Sequence, residues 1–333
     1  MKLTNLKYLF ISSALLLSSC NKYLDQQPDM RAEINTVDKV KRLITSAYPF
    51  GNYLAMAETY SDNVEDKGVG GLYQPVPSLY RWQDINNSDT DSPNSYWNNC
   101  YEAIAAANHA LAAIEANNFG KEIAAFKGEA LVARAYAHFM LVNFFAKVYD
   151  YKKPENNTSP GIPYVIEPET VVIKQYDRGT VKSVYDNIRK DLEEGLALLD
   201  GNPAEWNVPK YHFTPAAAHA FATRFYLFTG EWQKVVDNAN KIFAGGNFAG
   251  KLIPYNSTFK KMTFEEVHSV FSKADQPYSL LINETYSGYQ RWWDNRYAMG
   301  INVFQNIYNG TTAAGAKFYN FGASYGAPHY TTY

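Results

Sequence analysis

Bulky residues recur at helical spacing between Tyr96 and Val148. Trp97, Tyr101, Ile104, Asn108 and Leu111 mark one segment, and Ile123, Ala130, Ala133, Ala137, Met140 and Phe144 mark a second. This spacing turns one face of each segment toward a partner. Asn117, Asn118, Phe119 and Gly120 separate them, residues that tolerate the left-handed backbone on which helices end. The pattern predicts a helical hairpin. Its alanines and Gly128 allow close backbone approach, so the rest of the chain must supply helices to stack against it.

The pattern continues on both sides. Residues 36–49 read as a helix capped by Thr36, with Val37, Val40, Ile44 and Tyr48 on one side and Pro49 as its stop. Residues 50–95 lose the periodicity and carry Tyr53, Tyr60, Tyr73, Tyr80 and Trp82 among Gly, Pro, Asn and Asp. A loop this long is usually functional or disordered, and its aromatics argue against disorder. Ser92 and Pro93 then open the hairpin. After it comes a second long connection, 149–179, with an extended apolar stretch at Gly161, Ile162, Pro163, Tyr164 and Val165. Thr180 caps an amphipathic helix whose stripe is Val181, Val184, Tyr185, Ile188, Leu192, Leu196 and Leu199. Thr214 and Pro215 open another helix, Gly230 ends it, and Glu231 and Trp232 begin one that runs to about Phe243. Paired helices with small residues at their contacts are the grammar of tetratricopeptide-like repeats. From residue 245 the pattern is irregular. Val270 and Phe271, and Ser279 to Ile282, read as short strands or buried extended segments. The predicted class is mainly α: a tetratricopeptide-like bundle with long irregular loops and a less regular C-terminal part.

Composition adds an aromatic excess. Among 333 residues there are 27 Tyr, 19 Phe and 6 Trp, too many for core positions alone. Most can be wedged between helices with the hydroxyl in water. The remainder can form a surface that stacks on flat ligands. A net charge of −2 gives no electrostatic case for nucleic acid. At the N-terminus, Lys2 and Lys7 precede an apolar run from Tyr8 to Leu17 that is too short to span a bilayer. It leads into Leu17, Ser18, Ser19 and Cys20, which resembles a bacterial lipobox, where the signal peptide is removed and the new N-terminal cysteine acylated. The alternative is an ordinary secretory peptide with an incidental cysteine. Lipidation at Cys20 leaves Cys100 without an intrachain partner, and more than one acyl chain is needed for a stable anchor.

Catalytic constellations are weak. Asp62 with Asp66, and Asp84 with Asp89 or Asp91, could act as carboxylate pairs, but turns account for them. His109 and His138 lack a second ligand at metal spacing, and the Glu265 to His268 stretch lacks the two-histidine pattern of a zinc site. There is no phosphate-cradling glycine loop, and no segment after Cys20 could span a bilayer. The expectation is a protein without enzymatic activity, cofactor or metal. Sugar recognition needs only an exposed ring flanked by amides, carboxylates or guanidinium groups. Two clusters offer that mixture: Tyr80, Arg81 and Trp82 with Asn86, and Tyr289, Arg291, Trp292 and Trp293. Either could instead plug the seam between loop and bundle.

Six features in this order resemble the SusD/RagB family from about residue 20 to about residue 300. They are the lipobox, the Trp97–Ala107 helix, GEALVARAYAHFMLVNFF, the Gly161–Pro163 segment, RGTVKSVYDNIRKDLEEGLALL and TPAAAHAFATRFYLFTGEW. The resemblance implies a lipid-anchored lipoprotein on the outer membrane of a Gram-negative bacterium, facing the exterior. It would bind a glycan or other nutrient and deliver it to a partner, a SusC-like TonB-dependent transporter. The implied division is a signal peptide over 1–19, a tether over 20–35, a tetratricopeptide-like N-terminal domain over 36–244, and the start of an irregular C-terminal region over 245–333. Members of the family continue into further helices, so the resemblance implies a fragment or a truncated gene, and truncation would leave apolar helix faces uncovered. The competing function is a helical-repeat adaptor that binds protein and no glycan. The lipobox reading predicts that Cys20→Ala moves the protein out of the membrane fraction and abolishes incorporation of labelled fatty acid. Retention of both would exclude it.

Overall fold

The computed structural model describes residues 33–169, 174–288, 295–298, 300 and 303. The described helices are α1 (Val37–Ile44), α2 (Leu54–Thr59), α3 (Val76–Tyr80), α4 (Pro93–Ala116), α5 (Ala124–Phe145), α6 (Val181–Gly201), α7 (Pro215–Phe228), α8 (Trp232–Ile242) and α9 (Phe264–Phe271). Two short strands, β1 (Glu65–Asp66) and β2 (Tyr297–Ala298), pair antiparallel. The predicted caps are in place. Thr36, Ser92, Thr180 and Thr214 each accept a backbone N–H in the first turn, and Thr180 forms a capping box with Ser183.

Four stretches differ from the sequence pattern. α1 ends at Ile44 and the chain turns through Ala47, earlier than Pro49 requires. The 50–95 connection contains the short helices α2 and α3. Val270 and Phe271 lie in α9, not in a strand, and Thr263 and Glu266 form the capping box that starts this helix. Ser279 to Ile282 forms no strand: it is half-buried with a bend at Leu280, and Ile282 donates its N–H to the Lys210 carbonyl.

α5 is the centre of the bundle. It packs against α4 on one side and α6 on the other, with α1 and α7 completing its surroundings. Its burial runs round the whole circumference, as expected for a helix apolar on every side, where the pattern pointed to one face. On α4 the buried face is wider than the bulky stripe: Ile104 and Asn108 of the stripe are buried, and so are residues one position before its members. Tyr96, Cys100, Ala103, Ala107 and Ala110 are buried, while Trp97 and Tyr101 are only half-buried. Small residues sit at the closest approach and large rings flank it. At the α5–α6 crossing two glycines face each other: a Cβ on Gly128 would lie 2.8 Å from the Gly195 carbonyl oxygen, and one on Gly195 would lie 2.9 Å from that of Gly128.

Because α5 is buried all round, its polar residues need protein partners. Arg134 donates to both oxygens of Asp191 at 2.7 and 2.8 Å, and to the Asn108 Oδ1 at 2.9 Å. Tyr164 donates to the same Asp191 at 2.6 Å. Asn108 in turn donates to the carbonyls of Val165 and Glu167. His138 stacks on Tyr164 at 3.8 Å. Its Nδ1 lies 2.9 Å from the Arg134 carbonyl, which can only accept, and its Nε2 lies 3.1 Å from the Val165 N–H, which can only donate. These partners fix the neutral Nδ1–H tautomer. The network pins the extended 163–167 stretch across α4, α5 and α6.

Two consequences can be measured. The added methyl of Gly128→Ala meets backbone at Gly195, which cannot swing aside, so the variant should lose about 1–3 kcal/mol of stability in urea unfolding. An unchanged midpoint would mean the helices separate freely. The second concerns pH. Burial holds the His138 pKa down at about 3, whereas the unfolded chain takes up this proton near pH 6.5. The unfolded state therefore binds more protons below that pH. The contribution of His138 is fully present above about pH 6.5 and falls by about 1.4 kcal/mol per unit as pH drops toward 3. His138→Gln should flatten the stability profile between pH 6 and 5 by roughly one proton, and an identical slope would refute the neutral assignment.

Candidate functional site

The aromatic-polar cluster at Tyr80 to Asn86 sits where α3 ends. α3 closes with the two reverse bonds of a Schellman motif: the Gln83 N–H reaches the Ser78 carbonyl and the Trp82 N–H reaches the Leu79 carbonyl. The left-handed position of that motif normally holds glycine. Here it holds Trp82, at φ +54°. A bulky residue there is a backbone outlier. The turn throws the indole outward, where it is 73% exposed, yet it is not loose, since it stacks on Tyr60 with centroids 4.4 Å apart. Arg81, Gln83, Asp84, Asn86 and Asn87 are exposed around it, and Asn87 donates to Asp89 at 2.7 Å. The result is a ledge with one open aromatic face and polar groups at its edge.

The two residues before Trp82 both reach Tyr297. Tyr80 is half-buried and stacks on Tyr297 at 4.4 Å, within a small cluster that includes Val64 and Val76. The Arg81 guanidinium donates to the Tyr297 hydroxyl at 2.7 Å and lies over the same ring. Tyr80 therefore fills the seam, and Trp82 is the ring left open. Asn86 carries its amide at the exposed edge. Tyr289, Arg291, Trp292 and Trp293 lie outside the described residues, as does Cys20. The residues that bracket the second cluster are described, and both sides are tied to the 60–91 loop. Gly288 donates its N–H to buried Asp91 at 2.7 Å. On the other side the Arg296 N–H reaches the Gly71 carbonyl, and β2 pairs with β1. Arg296 also grips Asp66 through two nitrogens, which holds the Asp66 carboxyl below its usual range.

The proposed carboxylate pairs are engaged or dispersed. Asp66 is held by Arg296, Asp91 is buried against Gly288, and Asp62, Asp84 and Asp89 are exposed. Among the described residues no group of His, Cys, Asp or Glu is arranged to hold a metal. Tyr60, the support under Trp82, was not singled out from sequence as a site residue. No periodicity links the two positions, and only its place in the same aromatic loop hinted at it.

A family described as starch-binding and associating with the outer membrane, of the SusD-like type, matches residues 22–227. The chain belongs to this SusD-like family. No curated protein matches it. Its fold is similar to that of a SusD superfamily protein from Bacteroides thetaiotaomicron VPI-5482, with 23% identity, a TM-score of 0.56, and 74% of this chain and 52% of that one covered. It is also similar to a SusD-like carbohydrate binding protein from Bacteroides vulgatus ATCC 8482, with 17% identity, a TM-score of 0.53 and coverage of 74% and 50%. A further Bacteroides vulgatus structure gives 21% identity, a TM-score of 0.59 and coverage of 82% and 62%. The chain thus spans about half the length of the first two structures. Among the described residues no helix is long and apolar enough to cross a membrane.

Proposed function

We propose that the protein is a cell-surface glycan-binding lipoprotein, anchored through Cys20, that delivers its ligand to a TonB-dependent transporter. The observation that carries the glycan reading is the Trp82 ring, open to solvent, seated on Tyr60 and raised by a turn that would be relaxed with glycine. A pyranose presents an apolar face to such a ring, while its hydroxyls reach amides and carboxylates at the edge. The described residues on either side of the second cluster, Gly288 and Arg296, are tied to the same loop, which supports counting Tyr289, Arg291, Trp292 and Trp293 among the glycan-binding residues. Membership of a family described as starch-binding and outer-membrane-associated supports both the ligand class and the location. The role is binding, not catalysis.

Loss of one stacked ring should weaken binding by about tenfold, near the low end of the ~1–3 kcal/mol measured for bases stacked on aromatics. The measurement is affinity electrophoresis of wild type and Trp82→Ala in gels containing soluble starch, xylan or mannan, with circular dichroism as the folding control. A folded Trp82→Ala that is retarded as strongly as wild type would make the ring structural. If wild type itself is retarded by no glycan, the adaptor reading replaces this one, and a co-purifying transporter becomes the ligand to characterise.

A further inference from the structure

A second concavity, of about 1010 Å³, lies elsewhere. It opens between the stretch after α1, the α4 surface at Asn99 to Ala103, the 207–212 segment and the 282–285 segment, and it shares no lining residue with the Trp82 ledge. Its floor is built on a buried carboxylate. Glu129 of α5 is fully buried and receives the Tyr48 hydroxyl at 2.7 Å, the Trp206 Nε1–H at 2.8 Å and the His212 Nδ1 at 2.7 Å. The Tyr48 oxygen accepts the Phe213 N–H in the same step. Burial, then Glu129, push the Tyr48 phenol well above its ordinary value, so it stays a donor.

This network orients His212. A carboxylate on Nδ1 takes the ring's N–H and fixes the plane of the ring, with Nε2 on its far edge. Nε2 has no hydrogen-bond partner among the described residues, and the ring lines the cavity. Two further rings on the walls keep open faces: Phe50 is 51% exposed and Tyr211 48%. The carboxylates on the lining are Glu102 and Glu284, both exposed. No lysine or arginine lines it. Lys210, the nearest in sequence, gives its ammonium to the Gln276 carbonyl.

The chemistry selects a ligand class. Open ring faces take the apolar side of a sugar. Carboxylates and amide oxygens accept hydroxyl protons, and the imidazole Nε2 offers one more hydrogen-bonding position. With no lysine or arginine on the lining to offset them, these carboxylates disfavour phosphate, sulfate and uronate groups. The volume is at the upper end of small-molecule sites and has room for several sugar units. We propose that this cleft is a second carbohydrate site, selective for uncharged oligosaccharides. The inference rests on the glycan-binding reading above, but it concerns different residues and can fail separately.

Hydroxyl-radical footprinting of the full chain reads the two sites independently. The probes are maltoheptaose, xylohexaose, mannohexaose and laminarihexaose as neutral ligands, and tetragalacturonate as the acidic one, all at millimolar concentration. At least one neutral probe should protect Phe50 and Tyr211, and tetragalacturonate should not. That protection should persist in Trp82→Ala and weaken about tenfold in Tyr211→Ala. His212→Asn keeps an amide N–H where Nδ1 donates and removes Nε2, so it should weaken cleft binding as well. Because Tyr211 is exposed, its variant decides the matter if His212→Asn fails to fold. Protection confined to Trp82 overturns the cleft and leaves the ledge standing. Protection of the cleft alone does the reverse. Equal protection by tetragalacturonate, or no protection of Phe50 and Tyr211 by any neutral probe, also overturns the proposal.

Discussion

The bidentate pair between Arg134 and Asp191 is the interaction on which the described structure most depends. Both side chains are more than nine-tenths buried. A charge so placed is tolerated only when it is paired and hydrogen-bonded. Arg134 commits four of its five N–H groups to the two Asp191 oxygens, Asn108 and the Ile166 carbonyl, and Asp191 adds the Tyr164 hydroxyl. The partners come from α4, α5, α6 and the connection between the last two. Four pieces of chain that share no local sequence signal are thus brought to one point and one register. The glycine pair at Gly128 and Gly195 lets α5 and α6 approach closely enough for this. An apolar core of similar volume would hold the helices together but would not say which residue faces which.

Local features of the fold were legible in the sequence, and distant ones were not. Thr36, Ser92, Thr180 and Thr214 mark helix starts because a cap bonds to N–H groups two or three residues away. Gly230 marks an end for the same reason. By contrast, Asp191 lies 57 positions from Arg134, and His212 lies 83 from Glu129. Nothing in the α5 sequence says that its glutamate, arginine and histidine are inside. The pattern there reads as a stripe with polar interruptions, and it becomes a fully buried helix only once helices on both sides are known. α9 shows a different failure. Val270 and Phe271 have strand-forming side chains, and the Thr263 and Glu266 signal that starts the helix lies a full turn upstream.

At the ledge the sequence indicated the neighbourhood but not the division of labour within it. Tyr80, Arg81 and Trp82 are consecutive, and composition cannot rank them. The structure separates them by direction. Tyr80 and Arg81 turn toward Tyr297, which is 216 positions from Arg81, and the left-handed turn sends Trp82 the other way. The support under the indole, Tyr60, comes from beyond the β1 strand. A stacking surface of this kind is assembled from loop residues held by a few tertiary contacts, so its signature is spread thinly along the chain.

The backbone at Trp82 places two demands in opposition. A left-handed helix end costs little with glycine and more with any side chain, so glycine would relax this turn. That same change would remove the only part of the residue that reaches solvent. Mutational drift toward greater robustness therefore leads away from recognition at this position, and the indole is kept only while something outside the protein rewards it. Tryptophan in a glycine's place thus sets the ease of the turn against the reach of its ring, an opposition that the buried helices, where packing and backbone agree, do not contain.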